Sequence, residues 1–333
     1  MTLPGRRLTE PRTNLRPAEY PELLAYRDAI RHAYWLHTEY NLTDDIHDFR
    51  TRATPVERNA IRNTMLAIAQ VEVAVKTFWG DLMKYYPKPE IGAVGYTFAE
   101  SEVRHQDAYA HLLEVLGLNR EFGRLQEIPA LRERVGFLNE HLARPQTGDA
   151  QKDGRERALK VLLFSAFVEH ASLFGQFLIM KAFDRERNRF KGVANIVEAT
   201  SKEEQIHAMF GYRLVGILRE ENPHWFDALF EEQVVRACHA ARAAESRILD
   251  WIFEAGELEF LPRKRVDAFL DARFNGALEA VGIAPVFAPD PHELEATAWF
   301  EEEVLAGKQI DFFHKRPTAY SKKTKAITGD DLF

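Results

Sequence analysis

Apolar residues recur at steps of three and four along the chain between Pro55 and Gly117, which is the period of an amphipathic helix. The first part of this stretch carries them at Ile61, Met65, Ile68, Val71, Val75 and Phe78. Thr54 is suited to the N-cap, Pro55 to the first helical position and Glu57 to closing a capping box. The pattern therefore predicts a long helix that begins at Pro55.

Turn-forming residues divide the rest of the chain into further helices. A break at residues 86–89, together with glycines 92 and 95, separates the first helix from a second that ends near Leu116, and we expect the two to pair as a hairpin. The other helical patterns cover residues 20–40, 155–183, 190–220, 226–256 and 262–281. Strand signals are few and no glycine-rich phosphate loop is present. The sequence predicts an all-α protein built on four long helices.

Composition and charge narrow the function classes. The 333 residues are 46% hydrophobic and 29% charged, as in an ordinary folded domain. The single cysteine, Cys238, excludes an internal disulfide or a thiolate zinc site. A net charge of −7 with both signs mixed argues against nucleic acid. No apolar run reaches the roughly 20 residues that span a bilayer, and no signal peptide is visible, so we expect a cytoplasmic protein without a membrane partner.

Two Glu-x-x-His motifs, Glu102 to His105 and Glu204 to His207, lie on the second and fourth long helices. At a spacing of i, i+3 both side chains share one helix face, so each motif can present a carboxylate and an imidazole to one metal ion. Either motif alone is weak evidence, because this composition yields about one by chance.

The other two long helices carry Glu72 and Glu169 in strongly apolar surroundings. A buried carboxylate needs a partner, and a metal pair would be one. Four carboxylates and two imidazoles are the known donor set of di-iron and di-manganese bundles. The alternatives are that the two glutamates reach solvent or pair with Lys76 or Lys160, or that the bundle stores iron.

Three further motifs resemble one family. Tyr109 follows His105 by one helical turn, Trp35 lies in a Tyr-Trp-Leu-His-Thr-Glu segment, and residues 311–316 (Asp-Phe-Phe-His-Lys-Arg) precede Tyr320. Together with the ligand motifs they resemble the radical-generating small subunit of class I ribonucleotide reductase, from about residue 34 to residue 320.

The resemblance implies a ferritin-like four-helix bundle over residues 1–310 and a flexible tail over residues 311–333. It also implies a homodimer and a metal pair that is oxidised by O2 or superoxide. The partner would be the large subunit, on which the last residues, Leu332 and Phe333, would dock. The large subunit would reduce ribonucleotides to deoxyribonucleotides.

The resemblance also implies roles for the remaining site residues. The metal ligands would be Glu72, Glu102, His105, Glu169, Glu204 and His207. Tyr109 would be the tyrosine that holds a radical in many members, while Trp35, Glu203 and Tyr320 would carry electron and proton transfer toward the large subunit.

Two positions depart from the family's usual pattern. Glu72 stands where aspartate is usual, and Glu203 stands where an aspartate commonly bonds the path tryptophan. Residues 69–79 and 98–102 look most like the dimanganese subclass, class Id, in which the tyrosine need not be oxidised. We therefore expect two Mn ions, with two Fe or a mixed Mn/Fe pair as alternatives. The alternative function is a ferritin-like dimetal ligand-binding oxidase or monooxygenase, which would not need the Tyr320 tail.

Overall fold

The computed structural model describes residues 6–124, 127–144 and 146–305, without the side chains of residues 72–74, 122 and 305. Its α-helices, numbered α1 to α13 in chain order, are Leu24–His32, Thr43–His47, Pro55–Tyr85, Pro89–Leu116, Asn119–Phe122, Pro129–Leu142, Ala150–Leu162, Leu173–Arg187, Lys191–Glu221, Ala228–Ile252, Arg263–Glu279, Pro291–Glu295 and Ala298–Phe300. Within these ranges the only β-type pairing is an isolated bridge between Leu258 and Leu261. The all-α prediction is confirmed.

Helices α3 and α4 form the predicted hairpin. The Thr54 hydroxyl accepts from the Glu57 amide at 3.2 Å, and the Glu57 carboxylate accepts from the Thr54 amide at 2.8 Å, as the capping box predicts. The assignment of glycines 92 and 95 to the break was wrong, because both lie inside α4. A Cβ at Gly95 would lie 2.6 Å from the Trp79 carbonyl oxygen, so glycine is needed there for close helix packing.

Helices α7 and α8 are joined by a π-helical segment, Leu163–Ser172, into one helical run, Ala150–Arg187. The run is long and apolar enough to cross a membrane, but 94% of its most apolar window is buried within the fold. It is therefore the core helix of the bundle. The π segment packs against α9, α10 and α11, and such segments are frequent at functional sites.

The helical pattern predicted over residues 20–40 is confirmed in part. Only Leu24–His32 is α-helical, with short 3-10 turns at Pro21–Leu23 and His37–Glu39. Between them Leu36 adopts an extended conformation. This non-helical stretch brings the side chain of Trp35 onto the bundle, where it is 5% exposed.

Candidate metal centre

The bundle brings five of the six predicted ligands into one buried cluster. Glu102 and His105 come from α4, Glu169 from the π segment, and Glu204 and His207 from α9. All five side chains are completely buried. Because the motifs repeat at i, i+3, each helix directs its carboxylate and imidazole to the same interior point.

Two carboxylates lie between the two imidazoles. The Nδ1 atom of His105 is 3.2 Å from Oε2 of Glu102 and 3.1 Å from Oε1 of Glu204. The Nδ1 atom of His207 is 3.0 Å from the other oxygen of Glu102 and 3.3 Å from the other oxygen of Glu204. Each carboxylate thus offers one oxygen to each imidazole, which is the arrangement of a bridging ligand. Glu169 adds an oxygen 3.4 Å from Nδ1 of His207.

Several of these atoms form no hydrogen bond outside the cluster, within the part of the chain that the structure describes, and their close polar contacts are with other atoms of the cluster. They are Oε1 of Glu102, Oε2 of Glu169, both carboxylate oxygens of Glu204 and Nδ1 of His207. Buried polar atoms that lack a well-formed hydrogen bond are rare and costly. One ligand atom from each of these four residues lies within 4.8 Å of the others. Oxygen and imidazole donors that converge in this way fit a manganese or iron pair.

The outer nitrogens of both imidazoles are already bonded. Nε2 of His105 is 2.8 Å from a carboxylate oxygen of Glu203. Nε2 of His207 is 3.1 Å from the hydroxyl of Ser101, which itself donates to the Phe98 carbonyl and is therefore free to accept. Both rings consequently present Nδ1 inward, as metal-ligating histidines do when an outer contact fixes their tautomer.

The carboxylates and imidazoles shift one another's pKa values. Burial raises the pKa of Glu169 well above its usual range, and the nearby Glu204 raises it further, although His207 opposes both. Burial acts on Glu102 in the same direction, but the adjacent imidazoles outweigh it and hold its pKa well below the usual range. The carboxylates in turn raise the pKa of His105 and His207 against the effect of burial. The cluster therefore attracts positive charge, which bound divalent cations would supply while releasing protons.

Trp79 is a site residue that the sequence did not single out. Its indole Nε1 donates to Oε1 of Glu169 at 2.6 Å, which leaves Oε2 directed at His207. Trp79 lies two helical turns after Glu72 on α3, so its position on the ligand face was a usable signal.

We expect Trp79→Phe to weaken Mn(II) binding by roughly 10- to 100-fold, the usual cost of losing a bond to a ligand, with the fold intact. Phenylalanine keeps the aromatic packing but cannot donate to Glu169. Isothermal titration of the metal-free protein with Mn(II) measures the effect, and Trp225→Phe, a buried tryptophan on the Pro223–Trp225 turn, is the control. Equal affinity in the Trp79 and Trp225 variants would contradict the assigned role.

A hydrogen-bonded path leads from the cluster toward the surface. The Trp35 indole donates to Oε2 of Glu203 at 3.2 Å, and the same oxygen contacts His105. The rings of Trp35 and His105 are stacked with centroids 5.8 Å apart and planes 18° apart. The longer acid at position 203 therefore reaches both neighbours. Arg104 also contacts Glu203, a contact that the sequence did not reveal.

Tyr109 is fully buried one turn after His105, and its hydroxyl donates to Thr200 on α9 at 3.2 Å.

The pairing of Glu169 with Lys160 does not occur, because the Lys160 ammonium lies near the carbonyls of Leu142 and Arg144. Lys76 contacts Gln106. The side chain of Glu72, residue Tyr320 and the tail over residues 311–333 lie outside the described residues.

The chain is similar throughout to one protein family. A family model described as "Ribonucleotide reductase, small chain" matches residues 12–313. A probable ribonucleoside-diphosphate reductase small subunit of Invertebrate iridescent virus 3 is 26% identical, over 98% of this chain and 88% of the relative. The ribonucleoside-diphosphate reductase subunit beta of Chlamydia pneumoniae is 22% identical, over 86% of this chain and 83% of the relative.

Solved structures share the fold at low sequence identity. The ribonucleotide reductase R2 subunit of Clostridium botulinum superposes with a TM-score of 0.73 at 18% identity, covering 89% of this chain and 96% of that one. The dimanganese(II) NrdF of Streptococcus sanguinis gives 0.67 at 15%, covering 87% and 98%. An R2-like ligand-binding oxidase with a Mn/Fe cofactor gives 0.62 at 15%, covering 80% and 95%. These likenesses establish the ferritin-like helical fold alone.

Proposed function

This chain belongs to the ribonucleotide reductase small-chain family and is thus an oxidoreductase subunit, and we propose that it supplies the oxidising equivalent that a large subunit needs to initiate the reduction of ribonucleoside diphosphates. The observation that carries the proposal is the buried cluster of convergent ligand atoms, which form no hydrogen bond outside the cluster and are joined through His105 and Glu203 to Trp35. A storage protein has no need for such a path.

In this proposal Glu72, Glu102, His105, Glu169, Glu204 and His207 hold two metal ions. Glu102 and Glu204, which lie between the two imidazoles, would be shared by the two ions. A bound manganese pair, oxidised by O2 or superoxide, would supply the one-electron oxidising equivalent. The resemblance of residues 69–79 and 98–102 to the dimanganese subclass is the reason for proposing manganese rather than iron. Complete burial of the described ligands excludes solvent and protects the oxidant from side reactions.

The chain's own residues then provide the route for the electron. His105 holds Glu203 through Nε2, and Glu203 accepts from the Trp35 indole, so the three groups are in direct contact. Tyr320, in the tail of residues 311–333, would continue the route to the large subunit, which the tail would dock on. Two copies of the chain would form the working dimer.

The direct test is reconstitution with a large subunit encoded in the same genome. We propose that deoxyribonucleotide appears only when both proteins are mixed and this chain is metal-loaded. Turnover of a small apolar compound without the large subunit would instead support the ligand-binding oxidase, whose fold this chain shares.

We expect the aerobically loaded protein to give a multiline, low-temperature electron paramagnetic resonance signal from an exchange-coupled manganese pair, without a narrow tyrosyl signal. The reason is the resemblance of residues 69–79 and 98–102 to class Id, the subclass in which the tyrosine need not be oxidised. Tyr109→Phe serves as the control and should keep the multiline signal. A narrow signal that disappears in Tyr109→Phe would place the oxidant on Tyr109 and contradict the assignment.

A further inference from the structure

Arg104 lies inside the first Glu-x-x-His motif but points away from the metal cluster toward Glu203. It is only 4% exposed. Its Nη2 atom is 3.1 Å from Oε1 of Glu203 and its Nη1 atom is 3.3 Å from Oε2. The guanidinium therefore contacts both oxygens of this carboxylate, in the two-pronged geometry that only arginine provides.

Other contacts fix the arginine itself. Nη1 donates to the Trp35 carbonyl at 3.2 Å, and Nε donates to both oxygens of Glu100 at 3.1 and 3.2 Å. The guanidinium also lies over the ring of Tyr34, with 4.5 Å from its central carbon to the ring centroid. Arg104 thus ties the non-helical segment that carries Trp35 to the helix that carries His105.

The two carboxylate oxygens of Glu203 have different numbers of partners. Oε2 contacts the Trp35 indole, the His105 imidazole and one nitrogen of Arg104. Oε1 contacts Arg104 alone among the described polar partners. A glutamate has one more rotatable bond than aspartate, so more conformational freedom must be removed to hold its carboxylate in one place. The second arm of Arg104 removes that freedom.

We propose that Arg104 is a positioning residue of the electron path, which fixes Glu203 in the rotamer that contacts Trp35 and His105 together. The inference rests on the proposed function, since the path matters only where the metal centre exchanges an electron with a partner. It explains how a longer acid is accommodated at position 203.

The first test uses the metal-free full chain with ¹⁵N-labelled tryptophan. The sequence has five tryptophans, and Trp35→Phe identifies the Trp35 indole signal. In Arg104→Gln we expect this signal to shift and its hydrogen to exchange with solvent about 10- to 100-fold faster, the factor for losing hydrogen bonds to a charged group. In Arg104→Lys the exchange rate should fall between those of the wild-type chain and Arg104→Gln, because lysine keeps the positive charge but cannot contact both carboxylate oxygens as arginine does.

The matched control is Arg134→Gln. Arg134 is equally buried and bonds Glu245 at 3.3 Å and Gln70 at 3.1 Å, on helices remote in sequence from Trp35. It should leave the Trp35 signal unchanged. An unchanged Trp35 signal in Arg104→Gln, or the same shift in Arg134→Gln, would overturn the proposal.

The second test uses the manganese-loaded, air-oxidised chain and needs no large subunit. Ferrocyanide gives up one electron per molecule, and the metal pair gains it, which stopped-flow absorption follows. We expect Arg104→Gln to slow this reduction about tenfold or more, as Glu203→Gln should, and the double variant to be no slower than Glu203→Gln alone. Additive losses would show that Arg104 does not act through Glu203 and would overturn the role. Failure of wild-type nucleotide reduction, with the tryptophan result as expected, would count against the proposed function only.

Discussion

Tyr320→Phe is expected to reduce ribonucleotide reduction to background while two metal ions remain bound per chain. Phenylalanine has no hydroxyl to lose a proton, so it cannot be oxidised reversibly at the potential that a tyrosine reaches. The variant would therefore interrupt the proposed route between Trp35 and the large subunit. The loss of activity is measured as deoxyribonucleotide formation in the presence of the large subunit. The retention of metal is measured by metal analysis of the same preparation.

The control for this variant is Tyr96→Phe, which removes the hydroxyl of an exposed tyrosine on α4. It should retain full activity. Binding of the Tyr320 variant to the large subunit should also match the wild-type chain, which separates loss of relay from loss of docking. Full activity, or loss of metal, in Tyr320→Phe would refute the relay role of this residue.

Glu102→Ala is expected to abolish binding at both metal positions, whereas His207→Ala should affect chiefly one. The reason is geometric, because Glu102 places one oxygen 3.2 Å from Nδ1 of His105 and the other 3.0 Å from Nδ1 of His207. Removing a bridging carboxylate takes a ligand from both ions, and removing an imidazole takes a ligand from one. Manganese content after loading and desalting, measured by plasma mass spectrometry, gives the stoichiometry.

Glu90→Ala is the matched control for the carboxylate change. Glu90 is also buried on α4, but it bonds the amides of Glu19 and Tyr20 rather than facing the imidazoles. It should lower stability and leave the metal stoichiometry at two. Retention of two ions in Glu102→Ala, with helical circular dichroism preserved in all variants, would contradict the bridging assignment.

The sequence alone determined the long helices and the pairing of α3 with α4. The local sequence is enough to predict the helical period, the N-cap at Thr54 and the helix end at Gly117, because each depends on residues only a few positions away. The spacing of the Glu-x-x-His motifs likewise fixed which side chains share a helix face. The conclusion that Glu169 needs a partner followed from its apolar neighbours.

Only the tertiary structure decided the contacts between distant segments. Gly95 resembled part of a break because the α3 backbone that approaches it, and that leaves no room for a Cβ, is not adjacent to it in the sequence. The bonds from Trp79 to Glu169 and from Arg104 to Glu203 join residues 90 and 99 positions apart. Local pattern carries no information on such pairs, because burial and direction are set by how helices pack. The sequence was therefore enough to predict the types of metal-ligating residue. The side chains that hold ligands and path residues in place, Trp79 and Arg104, could be identified only from the tertiary structure.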